Sequence, residues 1–131
     1  MTTTSVVVGL ELPELVLEAS VRNIVATALA SRDYQDVHHD IATAQEKGSK
    51  TIFTNILTSN GYVLRYVTDF FGPRAVVKSS KIRLGVPNYA GDTMTLRGAV
   101  TAVDGPRVEV SVRGSNSLGD HVVGTVVVEL P

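Results

Sequence analysis

The sequence predicts one α+β domain, and three observations lead to this prediction. The chain has 131 residues, a length that suits a single domain covering residues 1–131. Its first half carries apolar residues at helical spacing, whereas its second half holds β-rich segments separated by turn signals. Apolar residues make up 44% of the chain and charged residues 19%, which is typical of a globular domain with its own core.

The first elements are a strand and a helix. Residues 6–17 mix apolar side chains with Pro13, and they predict a short strand interrupted by a turn at this proline. Residues 20–30 then carry apolar side chains three and four positions apart, which predicts a helix. Ser20 is a residue type that caps helix N-termini, so we expect this helix to begin there.

Two further helices are predicted before the β-rich half. Residues 41–47 form a short helix that Asp40 can cap and that Gly48 ends. Residues 51–71 form the longest helical candidate. Gly61 lies in the middle of this pattern, where a glycine costs about 1 kcal/mol relative to alanine. Its presence there suggests that another element approaches the helix closely.

The second half of the chain predicts four strands. They cover residues 75–86, 92–103, 107–116 and 121–130, and turn signals separate them. The segment RVEVSVRG alternates apolar and polar residues, with Val108, Val110 and Val112 on one face. We expect a four-stranded antiparallel meander with the long helix lying across it.

Composition excludes several classes of function. The net charge is −1, which gives no general attraction to nucleic acid or to an anionic membrane. The chain has no cysteine, so disulfides and thiolate chemistry are excluded. No apolar segment approaches the roughly 20 residues that span a bilayer. The N-terminus lacks the features of a signal peptide, and we therefore expect a cytoplasmic protein.

The loop SRDYQDVHHD, residues 31–40, carries the most unusual chemistry. It concentrates three carboxylates and two imidazoles, from Asp33, Asp36, Asp40, His38 and His39. Asp33 and His38 are five positions apart, so a helix would place them on different faces. In a non-helical loop the two side chains can converge, and a carboxylate beside an imidazole can hold a water and move its protons.

Two other interpretations of the loop stay open at this point. Asp33 can cap a turn while His38 and His39 form hydrogen bonds at the surface, and spacing alone favours this interpretation. A metal site is the least favoured, because no distant ligand pair completes the set and His121 is the remaining histidine. We therefore expect no metal. Gly119, Asp120 and His121 are interpreted as a hairpin turn rather than as a second site.

Two segments of the sequence resemble a known family. ALASRDYQDVHHDIATAQEKGSK and GVPNYAGDTMTLRGAVTAV are similar to the MaoC-like, hydratase-2 family of hot dog proteins, whose signature is roughly G-D-x-N-P-[LIV]-H-x-D. Asp33 and His38 match the catalytic aspartate and histidine of that signature. Val37 matches the aliphatic position and Asp40 the final acid. The sequence departs from the signature at three positions, namely Arg32, Gln35 and Asp36.

The resemblance implies a fold and an activity. The fold would be a hot dog, an antiparallel β-sheet wrapped around a long central α-helix, with a single hot dog per chain. Similarity to the short MaoC-like subunits of actinobacterial steroid side-chain degradation implies hydration of a steroid enoyl-CoA. No separate cofactor is expected, because CoA is part of the substrate. A second MaoC-like hot dog chain would complete an α2β2 heterotetramer, with a homodimer as the alternative.

The resemblance also implies roles for individual residues. Asp33 and His38 would activate the water, and the backbone N–H of Asn55 would stabilise the enolate at the helix N-terminus, where an asparagine side chain could add a contact. Two alternatives are a hot dog thioesterase and a non-catalytic partner subunit. Substrate contacts are expected from the loop residues Arg32, Tyr34, Gln35 and His39. Independently of the resemblance, Lys78 and Lys81 form a basic cluster with Arg83 on the first strand after the long helix. A solvated strand face is the favoured interpretation of this cluster, and contact with the phosphates of an anionic ligand is the alternative.

Overall fold

A five-stranded antiparallel sheet packs against one long helix in the computed structural model, which describes residues 6–131. Residues 1–5 of the predicted domain lie outside the described residues. None of the helices in the described part is long and apolar enough to cross a membrane. In chain order the elements are β1 (Glu11–Glu18), α1 (Val21–Ala30), a 3-10 turn (Asp36–His38), α2 (Ile41–Glu46), α3 (Ile56–Phe71), β2 (Val76–Leu84), β3 (Thr93–Asp104), β4 (Arg107–Asn116) and β5 (Gly119–Glu129).

The sheet order is β1-β3-β4-β5-β2, so the predicted four-stranded meander is wrong. Only β3, β4 and β5 form a meander, and β2 pairs with β5 at the far edge instead of with β3. The segment from 85 to 92 returns the chain across the sheet. It is held on the way by hydrogen bonds with residues 52–54, as in Thr54 N to Asn88 O at 3.1 Å. These long-range contacts prevent a tight β2–β3 hairpin.

Strand β1 runs through Pro13 without the predicted turn. The strand extends from Glu11 to Glu18 and pairs with β3, and its register shifts between Leu12 and Leu15. An edge strand tolerates proline, because the missing N–H falls where the ladder is already irregular. The prediction of an interruption at Pro13 was therefore wrong, and a bulge takes its place.

The core lies between α3 and the inner face of the sheet. Val108, Val110 and Val112 of β4 are buried, which confirms the predicted alternation. From the helix, Val63 and Val67 are fully buried within the same cluster. Burial of these apolar side chains is what fixes α3 across the strands.

The helix N-termini are set by side-chain caps. Ser20 caps α1 and Asp40 caps α2, as predicted, and the Thr43 N–H that binds Asp40 holds the pKa of that carboxyl below its ordinary value. Helix α3 begins only at Ile56, after the N-cap Asn55, so the predicted start at residue 51 was wrong. Residues 52–54 are extended instead, because they hydrogen-bond with residues 88–90.

Gly61 is exposed on α3, and no atom of another element among residues 6–131 lies within 4 Å of the position that a Cβ would occupy. The predicted close approach of another element is therefore wrong within this part of the chain. Gly98 of β3 shows the opposite environment. A Cβ there would lie 2.8 Å from Ser111 O and 2.9 Å from the ring of Tyr66.

These two glycines give opposite expectations for stability. Gly61→Ala should raise the free energy of unfolding by about 1 kcal/mol, because alanine loses less backbone entropy in a helix. Gly98→Ala should lower it by about 1–3 kcal/mol, since the added methyl overpacks the core. Chemical denaturation of both variants checks this. A destabilised Gly61→Ala variant would mean that a second chain covers α3 at this point.

Candidate active site

The turn at the C-terminus of α1 positions Asp33 in the site. The helix ends in a Schellman motif, in which Arg32 N donates to Leu29 O at 3.0 Å and Asp33 N donates to Ala28 O at 2.9 Å. This motif needs a left-handed residue, and Arg32 supplies it with φ 57° although glycine is the favoured residue there. The turn leaves the Asp33 side chain 22% exposed.

His38 is buried in the loop with a fixed ring orientation. It is 6% exposed, and its Nδ1 lies 2.7 Å from Phe53 O. A carbonyl oxygen only accepts hydrogen bonds, so Nδ1 must carry the proton. The Phe53 ring packs edge-on against the imidazole with centroids 4.9 Å apart, and Phe53 N donates to Val37 O. The extended segment before α3 therefore fixes the histidine.

Asp33 and His38 converge as the loop chemistry predicts. His38 Nε2 lies 3.4 Å from Asp33 Oδ2. In the neutral imidazole Nε2 is a hydrogen-bond acceptor, and the ionised carboxylate is an acceptor as well. Two acceptors at this distance are compatible when they share a proton, or when a water bound beside the pair donates a hydrogen bond to each of them. The interpretation of the loop as a mere surface turn does not account for the buried imidazole beside this carboxylate.

Asn55 connects the helix N-terminus to the carboxylate. Its Oδ1 accepts from Thr58 N at 3.3 Å and so caps α3. Its Nδ2 lies 2.9 Å from Ser31 Oγ and 3.2 Å from Asp33 Oδ2. The side chain is therefore fully used within the protein. Among the hydrogen bonds of residues 6–131, none uses the backbone N–H of Asn55.

The other residues predicted in the loop lie on its outer surface. Arg32, Tyr34, Gln35 and His39 are all exposed, and Tyr34 is 64% exposed. His39 Nε2 lies 3.9 Å from Asp36 Oδ1. Among residues 6–131, their side chains form no hydrogen bond or ion pair with Asp33 or His38, although the backbone N–H of Gln35 donates to Asp33 Oδ1 at 3.3 Å. Their role in substrate binding therefore stays a prediction.

Lys78 and Lys81 are not brought to the loop within this chain. Lys78 Nζ lies 3.9 Å from Glu129 Oε2. Lys81 faces the outer side of the sheet, beside Ser111 and Thr125, opposite the face that α3 covers. Their role as substrate contacts also stays a prediction. Within residues 6–131, no three His, Asp or Glu side chains gather in a way that could hold a metal ion.

Sequence reasoning missed several residues around the site. Ser31 forms a hydrogen bond with Asn55, and Phe53 forms one with His38. Neither residue carries a sequence signal that would have identified this role. His121 was assigned to a hairpin turn, and it does follow that turn at the start of β5. However, it is 2% exposed, and its Nε2 lies 2.7 Å from Ser59 Oγ.

One relative is similar to this chain over nearly its whole length. The 3-oxo-4,17-pregnadiene-20-carboxyl-CoA hydratase beta subunit of Mycobacterium tuberculosis (strain ATCC 25618 / H37Rv) is 58% identical over 120 residues, which are 92% of this chain and 93% of the relative. The chain belongs to the MaoC-like hot dog hydratase family. No protein-family model matches the sequence.

Solved structures of MaoC-like hydratases agree with this fold. A chain of the ChsH1–ChsH2 complex from Mycobacterium tuberculosis has a TM-score of 0.95 and 55% identity, covering 97% of this chain and 100% of that one. The (R)-hydratase from A. caviae involved in PHA biosynthesis has a TM-score of 0.86 and 22% identity, covering 98% and 100%. The predicted hot dog fold is thereby confirmed.

The strained backbone at Arg32 leads to a stability prediction. Arg32→Gly should raise the free energy of unfolding by about 1 kcal/mol, because glycine adopts positive φ without a steric cost. Arg32→Ala is the matched control, since it removes the same side chain but keeps the strained backbone, and it should give no gain. Thermal unfolding of both variants checks this. Equal stability of the two variants would contradict the role of backbone strain.

Buried His121 leads to a prediction about pH. Burial lowers its pKa below the ordinary value of 6.5, and the hydrogen bond to Val86 opposes this only in part. Below pH 6.5 the unfolded chain therefore binds more protons than the folded one, so stability falls as the pH drops from 6.5 towards the folded-state pKa. His121→Gln should flatten this fall in Tm, and a slope like that of the wild type would contradict the assignment.

Proposed function

We propose that the chain is the catalytic subunit of an enoyl-CoA hydratase that acts on a steroid side-chain enoyl-CoA. The observation that carries the proposal is the pair of buried His38 and partly exposed Asp33, with Nε2 and Oδ2 3.4 Å apart. The relative with 58% identity is named as a hydratase of a steroid carboxyl-CoA, which supports the same substrate class here. CoA belongs to the substrate, and the proposal includes no separate cofactor.

The pair suits activation of a water. A water bound beside the two acceptors, within hydrogen-bond distance of both, would donate one hydrogen to Asp33 Oδ2 and the other to His38 Nε2, and its oxygen lone pairs would then face the substrate. One of the two groups takes a proton as the oxygen attacks Cβ. The same pair returns a proton to Cα, so that water is added across the double bond and the protein regains its starting protonation state.

Asn55 suits stabilisation of the enolate. Negative charge develops on the thioester oxygen during attack, and a backbone N–H at a helix N-terminus is a favourable donor to it. Asn55 is the N-cap of α3, so its backbone N–H is the first one at this helix N-terminus. Because the Asn55 side chain is hydrogen-bonded to Asp33 and Ser31, the backbone N–H of Asn55 is the donor that we assign to the oxyanion.

The assembly is proposed to include a second hot dog chain. The relative is named as a beta subunit, and the similar solved structure is of a two-protein complex, which supports a second, different chain. The assembly that we propose is an α2β2 heterotetramer. Strand β2 also leaves a side without a strand partner among residues 6–131, and Val76 there is 53% exposed. A homodimer through this edge is the alternative. We place the enzyme in the cytoplasm as part of the same proposal.

Substrate recognition is proposed to use the exposed loop residues. Arg32 and Gln35 flank Asp33 in sequence, and Tyr34 offers an aromatic surface to an apolar steroid. His39 lies next to His38 on the exposed side. Lys78 and Lys81 would contact CoA phosphates only where the assembly brings β2 to an active site, because neither lies in the loop of its own chain.

The decisive experiment measures hydration of a steroid enoyl-CoA by the chain co-expressed with its second subunit. Asp33→Asn and His38→Ala should each lower kcat by about 10²–10⁴-fold, the usual contribution of a general acid–base group. Asp36→Asn is the matched control, because Asp36 is an exposed carboxylate of the same loop. Loss of the conjugated-thioester absorbance follows the reaction.

The same assay separates the alternatives. Release of free CoA thiol without hydrated product would indicate a thioesterase. Unchanged hydration in both site variants, with folding intact, would contradict catalysis by this chain and favour a non-catalytic subunit. A loss in Asp36→Asn equal to that in Asp33→Asn would point to loop folding instead of proton transfer.

A further inference from the structure

A buried histidine–serine pair lies one helical turn from Asn55. His121 near the start of β5 is 2% exposed, and Ser59 on α3 is fully buried. His121 Nε2 lies 2.7 Å from Ser59 Oγ, and His121 Nδ1 lies 2.6 Å from Val86 O. The pair joins residues that are 62 positions apart in the chain.

The direction of these hydrogen bonds follows from their partners. Val86 O can only accept, so His121 Nδ1 donates to it. Burial lowers the pKa of His121 and therefore keeps the ring neutral at neutral pH. Nε2 of the neutral ring is an acceptor, and the Ser59 hydroxyl therefore donates to it. Both polar groups of the imidazole are satisfied inside the protein.

Ser59 is not placed to act as a nucleophile. A serine bonded to a histidine can attack a carbonyl when the substrate reaches its hydroxyl. Here the serine has 0% exposure, so no substrate atom reaches it without local unfolding of α3. Any effect of the pair on the reaction must therefore pass through the residues with which it forms hydrogen bonds.

Those residues lead directly to the candidate active site. Ser59 N donates to Asn55 O at 3.1 Å, so the backbone of the first turn of α3 links the pair to Asn55 while the Ser59 hydroxyl donates to His121. Asn55 Oδ1 accepts from Thr58 N, and Asn55 Nδ2 contacts Asp33 Oδ2 at 3.2 Å. A continuous series of hydrogen bonds therefore runs from Val86 through His121, Ser59 and Asn55 to Asp33.

We propose that His121 and Ser59 are positioning residues for the hydration reaction. By fixing the first turn of α3 to β5 and to the segment after β2, the pair keeps the Asn55 amide on Asp33 and its backbone N–H directed at the thioester oxygen. The inference rests on the proposed function, because the reaction that it serves is the hydration carried by Asp33 and His38.

The test uses the full chain with its second subunit and a steroid enoyl-CoA as the substrate. Ser59→Ala removes the donor and His121→Leu removes the acceptor. Each should lower kcat about three- to tenfold, the fold-change that matches the net contribution of one hydrogen bond, with KM within about twofold. His121→Gln should recover most of kcat, because its amide oxygen can accept from Ser59.

Two control variants of α3 separate positioning from a general loss of stability. Thr58→Val deletes the neighbouring hydroxyl, for which residues 6–131 provide no hydrogen-bond partner, and keeps the backbone N–H that donates to Asn55 Oδ1. Tyr66→Phe deletes a buried hydrogen bond of the same helix, from Tyr66 Oη to Leu12 O at 3.2 Å. Both should keep the wild-type kcat. A wild-type kcat in Ser59→Ala, or an equal loss in Tyr66→Phe, would overturn the proposal.

A second measurement distinguishes failure of this inference from failure of the proposed function. Hydrogen exchange of the Thr58 and Ser59 amides reports the first turn of α3 without any substrate. It should become about tenfold faster in Ser59→Ala and His121→Leu and stay unchanged in Tyr66→Phe. If the wild type does not hydrate the substrate, the proposed function fails, and exchange at wild-type rates in Ser59→Ala would still overturn the link on its own.

Discussion

The hydrogen bond from His38 Nδ1 to Phe53 O is the interaction on which the site depends. It selects the imidazole tautomer and leaves Nε2 facing Asp33. Together with the hydrogen bond from Phe53 N to Val37 O, it also joins the loop after α1 to the extended segment before α3. Because Phe53 bridges to Tyr89, the position of the histidine is tied to the segment between β2 and β3 as well.

The local signals in the sequence identified most elements correctly. The caps Ser20 and Asp40 and the alternation in β4 are short-range features, and each predicted its element with bounds close to those of the structure. The place of β2 could not be predicted in this way. Pairing with β5 depends on a segment that crosses the sheet and is held by residues 52–54, which are more than thirty positions earlier in the chain.

In the candidate site as well, residues close together in the sequence were predicted, whereas contacts between distant segments were not. Asp33 and His38 lie within one loop, and the resemblance to MaoC-like proteins pointed to both of them. Asn55 was predicted as an oxyanion donor, but its hydrogen bond to Asp33 was not, since 22 positions separate the two residues. The Ser59–His121 pair had no local signal, because the histidine follows a turn and the serine lies inside a helical pattern. Both residues are buried because the sheet packs against α3, and this packing cannot be derived from the local sequence.

The open side of β2 has a consequence for the life of the newly made chain. Val76, Val77 and Leu84 are exposed along a strand whose outer side has no strand partner among residues 6–131. Such a strand is a template for unwanted pairing with other chains. If the proposed heteromer forms, a subunit released from the ribosome before its partner is available would therefore be a substrate for chaperones and proteases. Balanced synthesis of the two subunits would then protect the cell from orphan copies as much as it would supply the enzyme.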